Sequence, residues 1–263
     1  MNIYVSTDLE GISGIVNFDQ TGRDSKTAEY ERARMLLTEE VNAVVAACRE
    51  AGAEKIVVMD GHSSGFNFII DKLHPDAEYI LGGIRKEVFP GLGEEKFDGM
   101  ILLGYHAKSG TENAFLDHTL SSKSWYGYWV NDIEMGETGQ AAIIAGLKKI
   151  PVILVTGDTA TCEEAARLLP GVGTVAVKKA YSRTCGQIIP PAKAREMIKE
   201  GVKKALKRIK TFKPFSIKLP AKIKIAFQTT DTADHYETKG WKRLSGTTVE
   251  KTVGKITSGF EAI

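Results

Sequence analysis

Side chains of the kind that hold divalent metals recur just behind apolar runs in this chain. Asp8 and Glu10 follow residues 3–6, Asp60 and His62 follow 55–59 (KIVVM), and His106 follows 99–103 (GMILL). Asp158 follows 152–156 (VILVT). Three of the five histidines, His62, His106 and His118, lie in or shortly after such places, whereas His74 and His235 do not. Asp8 and Glu10 are two residues apart, and Gly11 and Gly14 loosen the turn after them, so both carboxylates can enter one pocket. Two unpaired carboxylates there repel each other and resist desolvation, and a cation removes both penalties. Imidazole and carboxylate donors together suit zinc, with manganese or cobalt as substitutes.

Those positions carry meaning only if the apolar runs are strands of one sheet. Short continuous apolar runs at 3–6, 55–59, 99–103, 152–156 and 173–177 fit strands buried on both faces. Between them stand helical patterns. Tyr30, Ala33, Leu37, Val41, Val44, Val45 and Cys48 line one face of a helix over 26–50, with Ser25 at its start and Gly52 at its end. Further helices are expected at 137–149 and 159–169. The alternation predicts an α/β fold, a largely parallel sheet covered by helices. In such sheets ligands gather outside the carboxyl ends of the strands, so a metal site is expected at that edge.

Residues 120–135 break the pattern. Trp125, Tyr126, Tyr128 and Trp129 crowd together before the turn signal Asn131-Asp132, which predicts a hairpin or a wall beside a cleft. After Arg183 the character changes again. Pro190-Pro191 opens a helix at 192–210 with Ile198, Val202, Leu206 and Ile209 on one face, and strands are expected at 216–227 and 246–253. The expected division is a metal-binding α/β domain over 1–187 and a smaller α+β portion over 188–263.

Composition narrows the partners. The 263 residues are 43% hydrophobic and 26% charged, with a formal net charge of +2, so no global field calls for nucleic acid or an anionic membrane. Residues 188–224 hold twelve Lys or Arg against two Glu, but no aromatic residues interleave with them along the helix, which favours a solvated face over a nucleic-acid surface. No apolar run approaches the ~20 residues that span a bilayer, and Asp8 and Glu10 argue against a signal peptide. Cys48, Cys162 and Cys185 form no disulfide framework or zinc knuckle, and the cytoplasm is the expected compartment.

Five blocks, STDLEGISG, MDGHSSGFN, LLGYHA followed by DHT, VNDIEMGETG and VAVKKAYSR, occur in the order and spacing of a known family. The chain resembles the DppA-like D-aminopeptidases, the dipeptide-operon zinc metallopeptidases. The resemblance implies Asp8, Glu10, His62, His106 and Glu137 as metal ligands, with Asp8 bridging two zinc ions, and His118 as the catalytic histidine. Five ligands with one shared carboxylate suit a pair of metals about 3.5–4 Å apart that can polarise a carbonyl and activate water. Physical chemistry favours acid/base or electrophilic work for His118 over covalent attack. The resemblance also implies a short peptide substrate, with D-residues among its targets, and a homodecamer of two stacked five-membered rings. Two readings from other classes stay open: a dimetal phosphoesterase, and a basic binding module built on 188–224.

The chain departs from the family at Met59-Asp60-Gly61-His62, where Asp60 is expected to orient His62, and in the proline-free KSGTENAFLDH. The second change bears on substrate choice. Lys178 and Arg183 are capable of holding a carboxylate, but as lone basic residues they read as surface groups.

Overall fold

The computed structural model describes residues 1–22, 27–257, 259 and 261; the expected cap Ser25 lies outside them. The first half of the chain runs β1 (Asn2–Thr7), α1 (Ala28–Glu50), β2 (Lys55–Asp60), β3 (Glu78–Ile80), β4 (Gly99–Leu103), β5 (Trp125–Val130) and β6 (Ile133–Glu134). It continues with α2 (Glu137–Leu147), β7 (Val152–Asp158), α3 (Thr159–Leu168), β8 (Gly173–Ser182), β9 (Cys185–Ile188) and α4 (Pro191–Lys207). The last elements are β10 (Ala221–Phe227), α5 (Thr230–Thr238), β11 (Lys242–Arg243) and β12 (Thr248–Val253).

The first sheet has the order β3-β2-β1-β4-β7-β8-β9, parallel except for β9, which runs against β8. Its central strands are buried on both faces, as their unbroken apolar runs require. Ile3 and Val5 of β1 join a core with α1 and α4, while Tyr4 joins a second core with α2 and the 89–97 loop. Thr27 caps α1: its side chain accepts from the Tyr30 N–H. α2 has apolar or small residues on every side because it is enclosed on every side. Ala141, Ala142, Ile144 and Ala145 pack on the first sheet, and Ile143 reaches the core of the second.

The second sheet is antiparallel, in the order β11-β12-β10-β5-β6. β5 and β6 form the hairpin expected in 120–135. Asn131 and Asp132 turn it at φ 49° and 66°, the pair of positive angles that a two-residue turn with the right twist demands. This sheet therefore takes strands from the middle of the chain as well as from its end, and α4 packs with α1 on the first sheet. Layer and chain order do not coincide at residue 187. The strand expected over 216–227 starts at 221, and β3, β9, β11 and α5 are too short or too polar to stand out in the sequence.

After β1 the chain builds outward to β2 and β3, then returns to place β4 on the other side of β1. The order reverses between β1 and β4, and the crevice at such a switch point lies outside the strands' carboxyl ends. Here the two loops touch. Asp8 N–H donates to the Leu103 carbonyl (2.8 Å) and Gly11 N–H to the Gly104 carbonyl (2.7 Å). A methyl group on Gly11 would overlap the Tyr105 carbonyl and the Gly104 backbone, so only glycine permits this approach. Gly11→Ala is expected to destabilise the fold by about 2–3 kcal/mol, read as a lower denaturant midpoint, and to weaken metal binding; an unchanged midpoint would show that the contact is dispensable.

Candidate metal centre

The five expected ligands reach this crevice from four elements. Asp8 and Glu10 follow β1, His62 follows β2, His106 follows β4, and Glu137 is the first residue of α2. The second sheet delivers Glu137, since its β5–β6 hairpin runs directly into α2 and is tied down by Met135 N–H to the Tyr128 carbonyl (3.0 Å). His118 arrives on the long loop after β4. That loop doubles back, its His118 N–H donating to the Ala107 carbonyl (3.3 Å), and the imidazoles of His106 and His118 stack with centroids 3.9 Å apart at 10°. Leu116 and Leu120, on either side of His118, have φ of 53° and 56°. Such angles are strained for leucine and are held in place by Leu116 N–H to the Arg183 carbonyl (3.0 Å) and Leu120 N–H to Glu137 Oε1 (2.7 Å).

The donor atoms face one another closely. His62 Nδ1 lies 3.0 Å from Asp8 Oδ1 and 3.1 Å from Glu10 Oε2. His106 Nε2 lies 3.3 Å from Asp8 Oδ2 and 3.2 Å from Glu137 Oε1, and His118 Nε2 is 3.9 Å from the same Glu137 oxygen. A zinc–ligand bond of about 2.0–2.1 Å in tetrahedral geometry separates ligand atoms by roughly 3.3 Å. The first four distances match that spacing, and His118 stands further out. Asp8 Oδ2, Glu10 Oε2 and His106 Nε2 are nonetheless buried without a hydrogen-bond partner. They converge on shared space instead of on each other. Orphaned buried polar atoms are costly, and a cation between them satisfies all three. Asp8, Glu10 and His106 form one group with the reach to hold an ion, and His106, His118 and Glu137 form another. The donor set fits zinc.

Each ring's remaining nitrogen is anchored on a carbonyl: His62 Nε2 on Thr21 (2.9 Å), His106 Nδ1 on Ala107 (3.0 Å) and His118 Nδ1 on Leu116 (2.8 Å). Such anchors fix the tautomer and turn the other nitrogen's lone pair toward the crevice. Electrostatics point the same way. Burial, reinforced by Glu10, pushes the Asp8 carboxyl up to about 7. Burial opposes ionisation of Glu10 as well, but the neighbouring His62 outweighs it and holds Glu10 well below the usual range. Glu137 is likewise held near 2, because His106 overcomes the effect of burial. Burial works against charge on His62 and His106, yet the carboxylates raise both well above the ordinary histidine value. The acids demand positive charge at this spot. His118 differs: burial and then His106 lower its pKa, so it stays neutral.

The remaining sequence expectations sort differently. Asp60 does not touch the His62 ring. Its oxygens accept from Asn67 N–H (2.5 Å) and Asn67 Nδ2 (2.8 Å), and Nδ2 also donates to the His62 carbonyl (2.8 Å), so Asp60 braces the backbone of that loop. Asp158 caps α3 through Thr161 and accepts from Phe115 N–H (2.6 Å). Arg183 is engaged with Asp117, next to His118, and lies over Phe18. Lys178 is not a surface group. It is buried, and its ammonium donates to the carbonyls of Glu10 (2.5 Å), Ile12 (3.0 Å) and Ile15 (2.6 Å). Burial lowers its pKa to about 8. Lys178 thus acts as an internal cation that folds the Asp8–Glu10 loop around itself. The sequence offered one signal for it: a lysine directly after three apolar residues in a strand that should be buried.

With the geometry in place, comparison with known proteins is decisive. The D-aminopeptidase family model matches residues 1–263. The chain belongs to the D-aminopeptidase family. It is 35% identical over 263 residues to the D-aminopeptidase of Bacillus subtilis (strain 168), covering 100% of this chain and 92% of that one. The solved structure of the Zn-dependent D-aminopeptidase DppA from Bacillus subtilis, described as a self-compartmentalizing protease, superposes with a TM-score of 0.93 at 32% identity. That match covers 100% of this chain and 95% of the other. Family membership makes the protein a metallo-aminopeptidase, a hydrolase.

Replacing Lys178 removes a donor from three buried carbonyls, of which that of Ile12 keeps the Ile15 N–H (3.2 Å). Lys178→Met is expected to cost about 3–5 kcal/mol in chemical denaturation and to weaken zinc binding in a chelator competition. Wild-type zinc affinity in the folded variant would remove Lys178 from the support of the centre.

Proposed function

We propose that the chain is a zinc-dependent aminopeptidase that releases the N-terminal residue of short peptides, D-residues included, at a centre of two metal ions. One observation carries this reading: buried carboxylate and imidazole atoms from four elements face each other at zinc-ligand spacing, and three of them have no other partner. Asp8 presents one oxygen to the His62 side and the other to the His106 side. On this reading Asp8 would be shared between the two ions, with Glu10 and His62 the further donors to one and His106 and Glu137 to the other. Zinc held there supplies Lewis acidity, polarising a carbonyl and acidifying water. Manganese or cobalt can replace it.

The chain's own groups do the rest. Hydrolysis adds the hydroxyl of water to the amide carbon, breaks the C–N bond and moves a proton to the departing amine. His118 is the group for that proton. Its Nδ1 is committed to the Leu116 carbonyl, so Nε2 is the atom that exchanges a proton, and it faces the cavity beside Glu137. This is acid/base work at a neutral imidazole, with no covalent bond to the substrate. Asp8, Glu10, His62, His118 and Glu137 line a cavity of about 480 Å³ together with Phe18, Leu120 and Lys123. That volume suits a di- or tripeptide.

The relative's self-compartmentalizing assembly supports a closed homo-oligomer here too, with the family decamer as its form, acting in the cytoplasm. A closed ring admits short peptides and excludes folded proteins. No described helix is long and apolar enough to cross a membrane.

His118→Ala is expected to keep both metals, counted by elemental analysis, and to lose at least about a hundredfold in kcat; near-normal turnover would remove His118 from the mechanism. Asp8→Ala is expected to hold at most one ion, and retention of two would reject the bridge. The function itself is tested by supplying the protein with zinc, manganese or cobalt and screening D- and L-dipeptides. Release of the N-terminal amino acid, abolished by chelators, is expected; hydrolysis of nitrophenyl phosphate without peptide cleavage would make it a phosphoesterase.

A further inference from the structure

A second cavity, of about 150 Å³, opens behind the candidate metal centre. It shares Asp8, Gly61, Leu120 and Glu137 with the outer cavity, so the two adjoin at the candidate ligands. The outer one is wide and lined with serines and a lysine. The inner one is walled by Met59, Val88, Phe89, Ala141 and Ile144. The hydroxyls on its wall are already engaged: those of Ser6 and Tyr105 bond each other (3.0 Å), and Thr7 Oγ1 donates to the Met59 carbonyl (3.2 Å). The amide of Gln140 is not. Gln140, one turn beyond Glu137 on α2, is 5% exposed, and its Nε2 has no hydrogen-bond partner. An unpartnered buried amide beside a cavity marks a place where a ligand brings an oxygen.

We propose that this inner cavity receives the side chain of the substrate's N-terminal residue and selects apolar side chains larger than that of alanine, with Gln140 Nε2 taking an oxygen of the same residue. The inference rests on the aminopeptidase reading. An aminopeptidase encloses the residue it removes and leaves the rest of the peptide toward solvent, and these two cavities have that asymmetry. Size sets the class. An apolar cavity of about 150 Å³ holds a benzene ring, so leucine and phenylalanine side chains fit and an indole does not. A methyl group leaves most of the space empty. The rim carries Arg85, half-buried, which pairs with no carboxylate among the described residues and places Nη1 3.6 Å from Met59 Sδ. A cavity built for acidic side chains would use that guanidinium, whereas the walls themselves offer carbon.

Amino-acid hydroxamates, which chelate metals, report on the cavity without turnover. On the zinc-loaded protein, calorimetry is expected to find leucine hydroxamate at least about tenfold tighter than alanine hydroxamate, in whichever enantiomeric series binds. Ala141→Leu fills the cavity and should bring that ratio close to one. Ile144→Ala enlarges it and should move the preference from leucine to phenylalanine, which keeps the inference testable if one variant does not fold. Equal binding of the two hydroxamates, binding of neither, a preference for the glutamate compound, or a ratio that neither variant moves would overturn the proposal. Turnover of leucine and alanine nitroanilides is measured alongside. If no anilide or peptide is cleaved while the hydroxamate ratio and its response to Ala141→Leu hold, the peptidase reading fails and the side-chain cavity stands.

Discussion

Two carboxylates that share a dry pocket cannot both stay ionised without a cation, and the structure around the candidate centre is organised by that constraint. Asp8 and Glu10 lie at the deepest point of the sheet's switch, both buried, with oxygens that find no hydrogen-bond donor. Without a metal, the site borrows positive charge from His62 and His106, whose pKa values the acids raise despite burial. Carrying such charges inside the protein costs several kcal/mol per ion unless they are paired. Divalent metal held there would relieve the acids and return the imidazoles to the neutral form in which they bind metal.

The scaffold is arranged to make that conflict rigid. β1 and β4 are neighbours whose loops approach to backbone contact at Gly11 and Gly104. Lys178 gathers three carbonyls of the acidic loop onto one ammonium, so the loop cannot relax to separate the acids. Asp60 and Asn67 brace the His62 loop, and the second sheet presents Glu137 at the positive end of α2, where the helix dipole also favours a carboxylate. His118 is held on strained backbone against the His106 ring, close to the centre yet outside the tightest ligand spacing. The four contacting donor pairs lie 3.0–3.3 Å apart and the neutral imidazole of His118 stands just beyond, an arrangement that would let a hydrolase move a proton without giving up a metal ligand.

Much of this was legible in the sequence, for a physical reason. Strands buried on both faces write themselves as apolar runs, and parallel strands bring their carboxyl ends together, so Asp8, Glu10, His62 and His106 could be placed at one edge from local pattern alone. α1, α2 and α3 were readable from their spacing. Glu137 was not, because what carries it to the site is a hairpin of a different sheet, and pairing between β5 and β10, nearly a hundred residues apart, leaves no local trace. It came from family resemblance. Lys178 was misread because a lysine's sequence neighbours do not reveal that three carbonyls from residues 10–15 will close over it. Asp60 and Asp158 had the right position for ligands but met backbone donors first, from Asn67 and Phe115, which only the folded loops supply.

The most direct measurement is anomalous diffraction at the zinc edge from crystals of the zinc-loaded protein. Two peaks about 3.5–4 Å apart, one between Asp8, Glu10 and His62 and the other between Asp8, His106 and Glu137, are expected. Zinc bound only elsewhere, or a crevice that stays empty at saturating zinc, would contradict the claim that buried like charges at the strand switch exist to hold metal.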